Sequence, residues 1–143
     1  KKKLPLLLLH TDIVYNQKFL DNILKSKKNN IIGIHSNRKN FKKRSLVVSI
    51  DAKYKIKSID YIEKKKKYYG EVIGINKLSK KTAMHLFNFM DKFLIKDNKK
   101  LSWEIVMDNY IRNSNDSLFV LKNQKYAWSN INFYDDYLLA RKI

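Results

Sequence analysis

In LLLLHTDIVY (residues 6–15), an aspartate follows four leucines by three positions, so a carboxylate stands where a buried strand runs out. A short unbroken apolar run fits a strand covered on both faces. Open α/β sheets hold their ligand chemistry outside the carboxyl ends of such parallel strands. On that reading Asp12 belongs to a sheet's carboxyl edge; on a blander one it is a turn residue. Two further polar groups sit among apolar residues. Glu71 lies between Gly70 and the apolar VIG, and Asn130 and Asn132 flank Ile131 in WSNIN. Oxygen ligands from carboxylate and amide suit Mg²⁺, which keeps several waters and leans on substrate phosphates. Each residue also fits an ordinary role, a strand glutamate or a capping asparagine, and the residues alone leave both readings open.

Other chemistries are excluded. The only glycines are Gly33, Gly70 and Gly74, so no glycine-rich phosphate loop exists. His10, His35 and His85 lack metal-motif spacing and read as strand-end or surface residues. No nucleophile elbow surrounds any serine. The absence of cysteine removes disulfides and thiolate metal sites and suits a reducing cytoplasm. The longest apolar run, Leu6–Leu9, is far too short to span a bilayer.

A formal charge of +18 invites a nucleic-acid reading. Of the 31 basic residues, however, only Arg38, Arg44, Arg112 and Arg141 are arginines. Base readers favour the bidentate arginine fork. Abundant lysine, asparagine and isoleucine with scarce glycine and proline instead match the coding of an AT-rich genome. A lysine-rich nucleic-acid module therefore stands as the alternative, and no specific nucleic-acid partner is expected.

The elements that must position these groups follow from periodicity. Leu6–Leu9 reads as a strand, and residues 17–25 as a helix with Phe19, Leu20, Ile23 and Leu24 on one face and Asn16 as its cap. Ile31–His35 is a second strand. Residues 45–50 and 54–62 form a hairpin around DAK, and residues 70–76 another strand, with Gly70 and Gly74 allowing close backbone approach. A helix capped by Ser79 carries Ala83, Leu86, Phe87, Met90, Phe93 and Leu94 on one face. A helix capped by Ser102 buries Trp103, Val106, Met107, Tyr110 and Ile111. Strands at 117–122 and 126–132 precede a last helix from Tyr134, with Asp135 and Asp136 in its first turn. The order indicates a layered α/β domain with a mixed sheet.

This order resembles the later two-thirds of a nucleotidyltransferase of the sugar-phosphate and phosphocholine cytidylyltransferase type, over essentially the whole chain. In that family an apolar strand ends in a GD-like pair whose aspartate binds Mg²⁺; LLLLHTD is similar, with Thr11 in the glycine's place. GEVIGINKLS resembles the strand lining the acceptor pocket, and SWEIVMDNYI the helix before the last strands. WSNINFYDDYLLARK resembles the family's close, a tryptophan, an acidic-Ile-acidic triplet and an acidic pair opening a helix. Glu63-Lys64 faintly echoes an EKP signature. The family's N-terminal GxGxR…K nucleotide-binding loop has no counterpart.

The resemblance implies a Rossmann-like three-layer α/β domain with a mixed sheet, residues 1–143 forming one partial, N-terminally truncated domain. It implies transfer of a nucleotidyl group, CMP from CTP, to phosphocholine or a sugar phosphate with release of pyrophosphate. It further implies a cytoplasmic enzyme, inactive without the missing part. Asp12 and Asn132 take the catalytic, Mg²⁺-holding role with Asn130 beside them, and asparagines in place of acids imply weaker Mg²⁺ affinity. Glu71, Trp103, Glu104, Trp128 and Lys64 become substrate-binding candidates. Trp103, Tyr110 and Trp128 would offer a choline group a cation–π surface, with core packing the alternative. With the nucleotide-binding part absent, residues 6–9 and 31–34 are expected to face an uncovered sheet surface and promote self-association.

Overall fold

A computed structural model describes residues 5–36, 45–64, 68–97 and 102–143. Its strands are β1 (Leu6–Leu9), β2 (Ile13–Tyr15), β3 (Ile31–His35), β4 (Leu46–Ile50), β5 (Ile56–Tyr61), β6 (Gly70–Leu78), β7 (Phe119–Asn123) and β8 (Trp128–Asn130). The helices are α1 (Gln17–Lys25), α2 (Lys80–Asp97), α3 (Trp103–Asn113) and α4 (Tyr134–Ala140), and a 3-10 turn at Ile62–Lys64 follows β5. Local chemistry sets the ends. Asn16 Oδ1 accepts from the Lys18 amide at 3.0 Å, and Ser79 Oγ from the Thr82 amide at 3.1 Å. Asp51 closes the β4–β5 hairpin by accepting from the Lys53 and Lys55 amides at 2.8 and 2.9 Å, while Tyr54 takes a φ of 61°.

Six strands form one mixed sheet in the order β5-β4-β6-β3-β7, with β1 joined to β6 off that path. β6 is the spine. It pairs antiparallel with β3 along one edge, and β1 and β4 share the other, from Leu6↔Leu78 to Leu9↔Ile75 and at Val47↔Glu71 and Val48↔Gly70. Among the described residues only β3 and β7 pair in parallel. β1 points the same way as both, but its hydrogen-bonded neighbour is antiparallel, which corrects the expectation that Asp12 ends a parallel-paired strand. The segment IVY, unassigned in the sequence, is strand β2, which pairs with β8 as a separate two-stranded ribbon.

Helices cover both faces of the sheet, giving three layers. On one face Phe19 and Ile23 of α1 bury Ile73 and Ile75, with Leu7, Ile13, Tyr15 and Trp128 packed around them. On the other, Leu86 of α2 and Met107 and Tyr110 of α3 pack on Ile32, Ile34, Val48 and Leu78. Residues 31–34 are therefore fully buried and Leu6, Leu7 and Leu8 partly so, with Leu9 exposed; among the described residues the two segments do not form the expected bare sheet face. Leu24 and Phe87, assigned to inner helix faces, are exposed, and the side chains of Phe93 and Leu94 lie outside the described residues.

Two close contacts involve β6. The buried Lys77 ammonium donates to the carbonyls of Ile23, Leu24 and Ser26 at 3.3, 3.2 and 2.8 Å, placing a cation on the C-terminal end of α1. Gly74 has a φ of +89°, and a Cβ there would lie 2.7 Å from His10 Cγ. The His10 amide donates to the Gly74 carbonyl at 2.9 Å, extending the β1–β6 pairing by one residue. Gly74→Ala is expected to cost about 1–3 kcal/mol, from the left-handed backbone and the clash with the ring. Urea unfolding should show a lower midpoint at unchanged slope; an unshifted midpoint would refute this account of Gly74.

Candidate active site

The ribbon of β2 and β8 determines which polar residues meet. A two-residue turn, Thr11 and Asp12, leads from the end of β1 into β2. Across the ribbon Ile13 faces Asn130, and the Ile131 amide donates to the Asp12 carbonyl at 2.7 Å. Asp12 thereby lies beside the 130–132 segment although more than a hundred positions separate them in sequence. The side chains of Asp12 and Asn132 are exposed. Asn130 is half-buried, and its Oδ1 is a buried oxygen without a hydrogen-bond partner among the described residues. Such orphaned atoms are uncommon in folded proteins. Asn132 is held through its backbone, since the carboxylate of buried Asp136 accepts from the amides of Asn132 and Phe133 at 3.1 Å each.

A second group gathers where β3 ends. His35 and Glu71 are directly opposed on β3 and β6, so their side chains leave the same face of the sheet. The His35 ring lies 6.0 Å from the Trp128 ring, and its Nδ1 is 3.1 Å from the Asn123 carbonyl. Burial pushes the His35 pKa below its ordinary value, and the hydrogen bond to the carbonyl only partly opposes this. Gly70 permits the close packing here, because a Cβ would lie 2.8 Å from the His35 carbonyl oxygen. Trp128 and Asn130 both belong to β8, so this strand links the two groups.

The remaining candidates lie elsewhere. Trp103 packs with the α2–α3 cluster and Trp128 with the α1 cluster, on opposite faces of the sheet. Tyr110 is buried with Trp103's cluster, and its hydroxyl donates to Asp116. The three rings therefore do not form one aromatic surface. Glu104 sits beside Trp103 in the first turn of α3. Lys64 closes the 3-10 turn after β5, and its side chain lies outside the described residues, as do residues 65–67 of the lysine run. Among the described residues no cluster of three or more His, Cys, Asp or Glu side chains is placed to hold a metal. The sequence reading missed His10 and His35 as site neighbours. Their signal was present, since each ends an apolar run, but only the pairing of β3 with β6 and of β2 with β8 brings His35 to Glu71 and Trp128.

No protein-family model matches this sequence, and no curated protein does. Its fold is shared by solved structures. One described as an inositol-1-phosphate CTP transferase from T. maritima aligns with a TM-score of 0.68 at 14% identity, over 99% of this chain and 57% of that one. A CTP:phosphocholine cytidylyltransferase from Streptococcus pneumoniae gives 0.71 at 14% identity, over 95% and 56%. A putative glucose-1-phosphate thymidylyltransferase from Bacillus anthracis gives 0.67 at 14% identity, over 99% and 55%. The architecture is thus that of nucleotidyltransferases, and the chain spans little more than half the length of these structures, less than the two-thirds expected. Among the described residues no helix is long and apolar enough to cross a membrane.

The depressed His35 pKa sets a pH dependence. A histidine that binds its proton less readily when folded lowers stability once the unfolded chain takes up that proton. Its contribution is therefore present above pH of about 6.5 and is lost as pH falls through that value toward the lower folded-state pKa. His35→Gln should flatten this part of a plot of Tm against pH. A wild-type Tm that does not fall between pH 7 and 5, or a variant with the same slope, would contradict the assignment.

Proposed function

We propose that this chain is the acceptor- and metal-binding portion of a nucleotidyltransferase. The reaction is transfer of a nucleotidyl group, CMP from CTP, to a phosphorylated acceptor such as phosphocholine or a sugar phosphate, with release of pyrophosphate. The carrying observation is the β2–β8 ribbon, which seats Asp12 beside residues 130–132 in a fold shared with solved nucleotidyltransferase structures. A solvated lysine-rich surface needs no such convergence, which disfavours the nucleic-acid alternative.

The donor set fits Mg²⁺. Asp12 supplies one exposed carboxylate, Asn132 an exposed amide, and Asn130 an oxygen that has no partner among the described residues. Hard cations of this size take oxygen ligands and retain water for the remaining positions. With one charge rather than three, affinity is expected to be modest. When bound, the ion supplies charge neutralisation for the triphosphate and alignment for in-line displacement. The chain's own groups do the rest. Glu71 holds the acceptor by accepting its hydrogen bonds, with His35 opposite it on β3 and Trp128 against the His35 ring. Asp136 keeps Asn132 in place through the two backbone amides it binds. Trp103 and Glu104 are left out, because α3 packs on the other face of the sheet.

The test uses the chain together with the coding sequence upstream of it, assayed for pyrophosphate with each nucleoside triphosphate and a panel of phosphorylated acceptors. Asp12→Ala should lower the rate by about a hundredfold or more, the loss of several kcal/mol of charge stabilisation. Asn132→Asp should retain turnover and lower the Mg²⁺ concentration needed for half-maximal rate. Full activity in Asp12→Ala would overturn the assignment, as would a steep salt-dependent affinity for DNA or RNA with no turnover on any acceptor.

A further inference from the structure

We infer that His35 sets the acceptor specificity of the proposed site: with Glu71 it offers only hydrogen-bond acceptors, and so selects a hydroxyl-bearing ligand, a sugar or polyol phosphate, over phosphocholine. This rests on the acceptor-binding role proposed above and narrows it. The tautomer of the ring decides the matter. His35 Nδ1 lies 3.1 Å from the Asn123 carbonyl oxygen, and a carbonyl can only accept, so Nδ1 carries the proton. Burial favours the neutral ring, which leaves Nε2 as a bare lone pair. Nε2 has no partner among the described residues and is not closed off in the core.

The carbonyl that fixes this tautomer is itself held. β7 runs parallel to β3 with Asn123 beside His35, and Asn123 is buried. Its side chain closes a tight turn, donating to the Tyr126 carbonyl at 2.8 Å and accepting from the Tyr126 amide at 2.9 Å. Glu71 stands opposite His35 on β6, and an ionised carboxylate also only accepts. Two acceptor groups on one face of a sheet call for donors from the ligand, and hydroxyl groups supply them. The Trp128 ring, 6.0 Å from that of His35, adds an apolar surface for the C–H side of a sugar or cyclitol ring. A trimethylammonium group has no proton to give and is held by cages of aromatic rings. Trp103 and Tyr110 pack on the opposite face of the sheet from Trp128 and cannot complete such a cage. Sites that hydrogen-bond a substrate hydroxyl discriminate strongly against a ligand without one, because their polar groups are then left unpaired.

The test reads binding to this chain, with glucose 1-phosphate and phosphocholine as probes, because the two share a phosphate and differ in hydroxyl groups. Long-range proton–nitrogen NMR should show the His35 ring protonated at Nδ1. Glucose 1-phosphate should shift its Nε2 signal, and phosphocholine should leave that signal in place. Calorimetry should show glucose 1-phosphate binding weakened by about tenfold or more in His35→Phe, which keeps a ring but has no lone pair. His35→Gln, which restores an acceptor oxygen, should bind closer to wild type. A ring protonated at Nε2, or unweakened binding in His35→Phe, would overturn the inference. Preference for phosphocholine, or equal affinity for the two probes, would also overturn it while leaving the acceptor-binding role in place. Binding of neither probe would remove that role and this inference with it.

Discussion

One backbone position governs the rest of this structure. Gly74 sits within β6 at a φ of +89°, and the His10 ring occupies the place its side chain would take. The His10 amide is bonded to the same residue's carbonyl. β1 therefore stops there rather than following β6 to its beginning, and β4 takes up the same edge at Gly70 and Glu71. With β1 ended, the chain turns through Asp12 into β2. A longer β1 would carry Asp12 along the sheet edge and leave no ribbon for β8 to join. A strand-interior glycine normally costs stability; here it terminates one strand and releases the residue on which the proposed chemistry depends.

β6 serves both layers around it. Ile73, Ile75 and Lys77 face α1, and Val72 and Leu78 face α2 and α3. The Lys77 contact holds a helix end and a strand in fixed relation through a buried ammonium, whose three carbonyl partners offset the cost of burying it. α1 in turn packs under the ribbon through Phe19 and Ile23 against Ile13, Tyr15 and Trp128. Rigid elements, rather than free loops, thus support the polar residues of the ribbon. The far helices are tied by a different device. The Tyr110 hydroxyl of α3 and His85 Nδ1 of α2 share one carboxylate oxygen of Asp116, with the His85 contact at 3.0 Å. The Tyr110 pKa is pushed well above its ordinary value, chiefly by burial and then by that carboxylate. This keeps the hydroxyl protonated as a donor.

What the sequence determined by itself were the elements with strong local signals. The apolar runs at 6–9 and 31–35, the amphipathic spacing around Phe19 and Ile23, the caps at Asn16 and Ser79 and the Asp51 turn all act over a few residues, and all appear where the pattern put them; Ser102 stands at the start of its helix but its side chain makes no capping bond. The need for glycine at 70 and 74 was also legible, because each lies inside an apolar strand that would otherwise favour larger residues. Tertiary structure decided the rest. Three residues of IVY are too few to show a period, and β2 exists only because β8 pairs with it. Leu24 and Phe87 match the helical spacing yet face solvent, since the facing layer does not extend to them. The tryptophans at 103 and 128 look alike in sequence and fall on opposite faces of the sheet, because face is set by which strand or helix packs where. Asp12 and Asn132 are joined only through the register of a ribbon, and Glu71 meets His35 only through the pairing of β6 with β3. Local patterns fix conformation over a turn or a strand; which residues meet across the chain depends on hydrogen-bond register and on the volume each layer must fill, and those are properties of the assembled sheet.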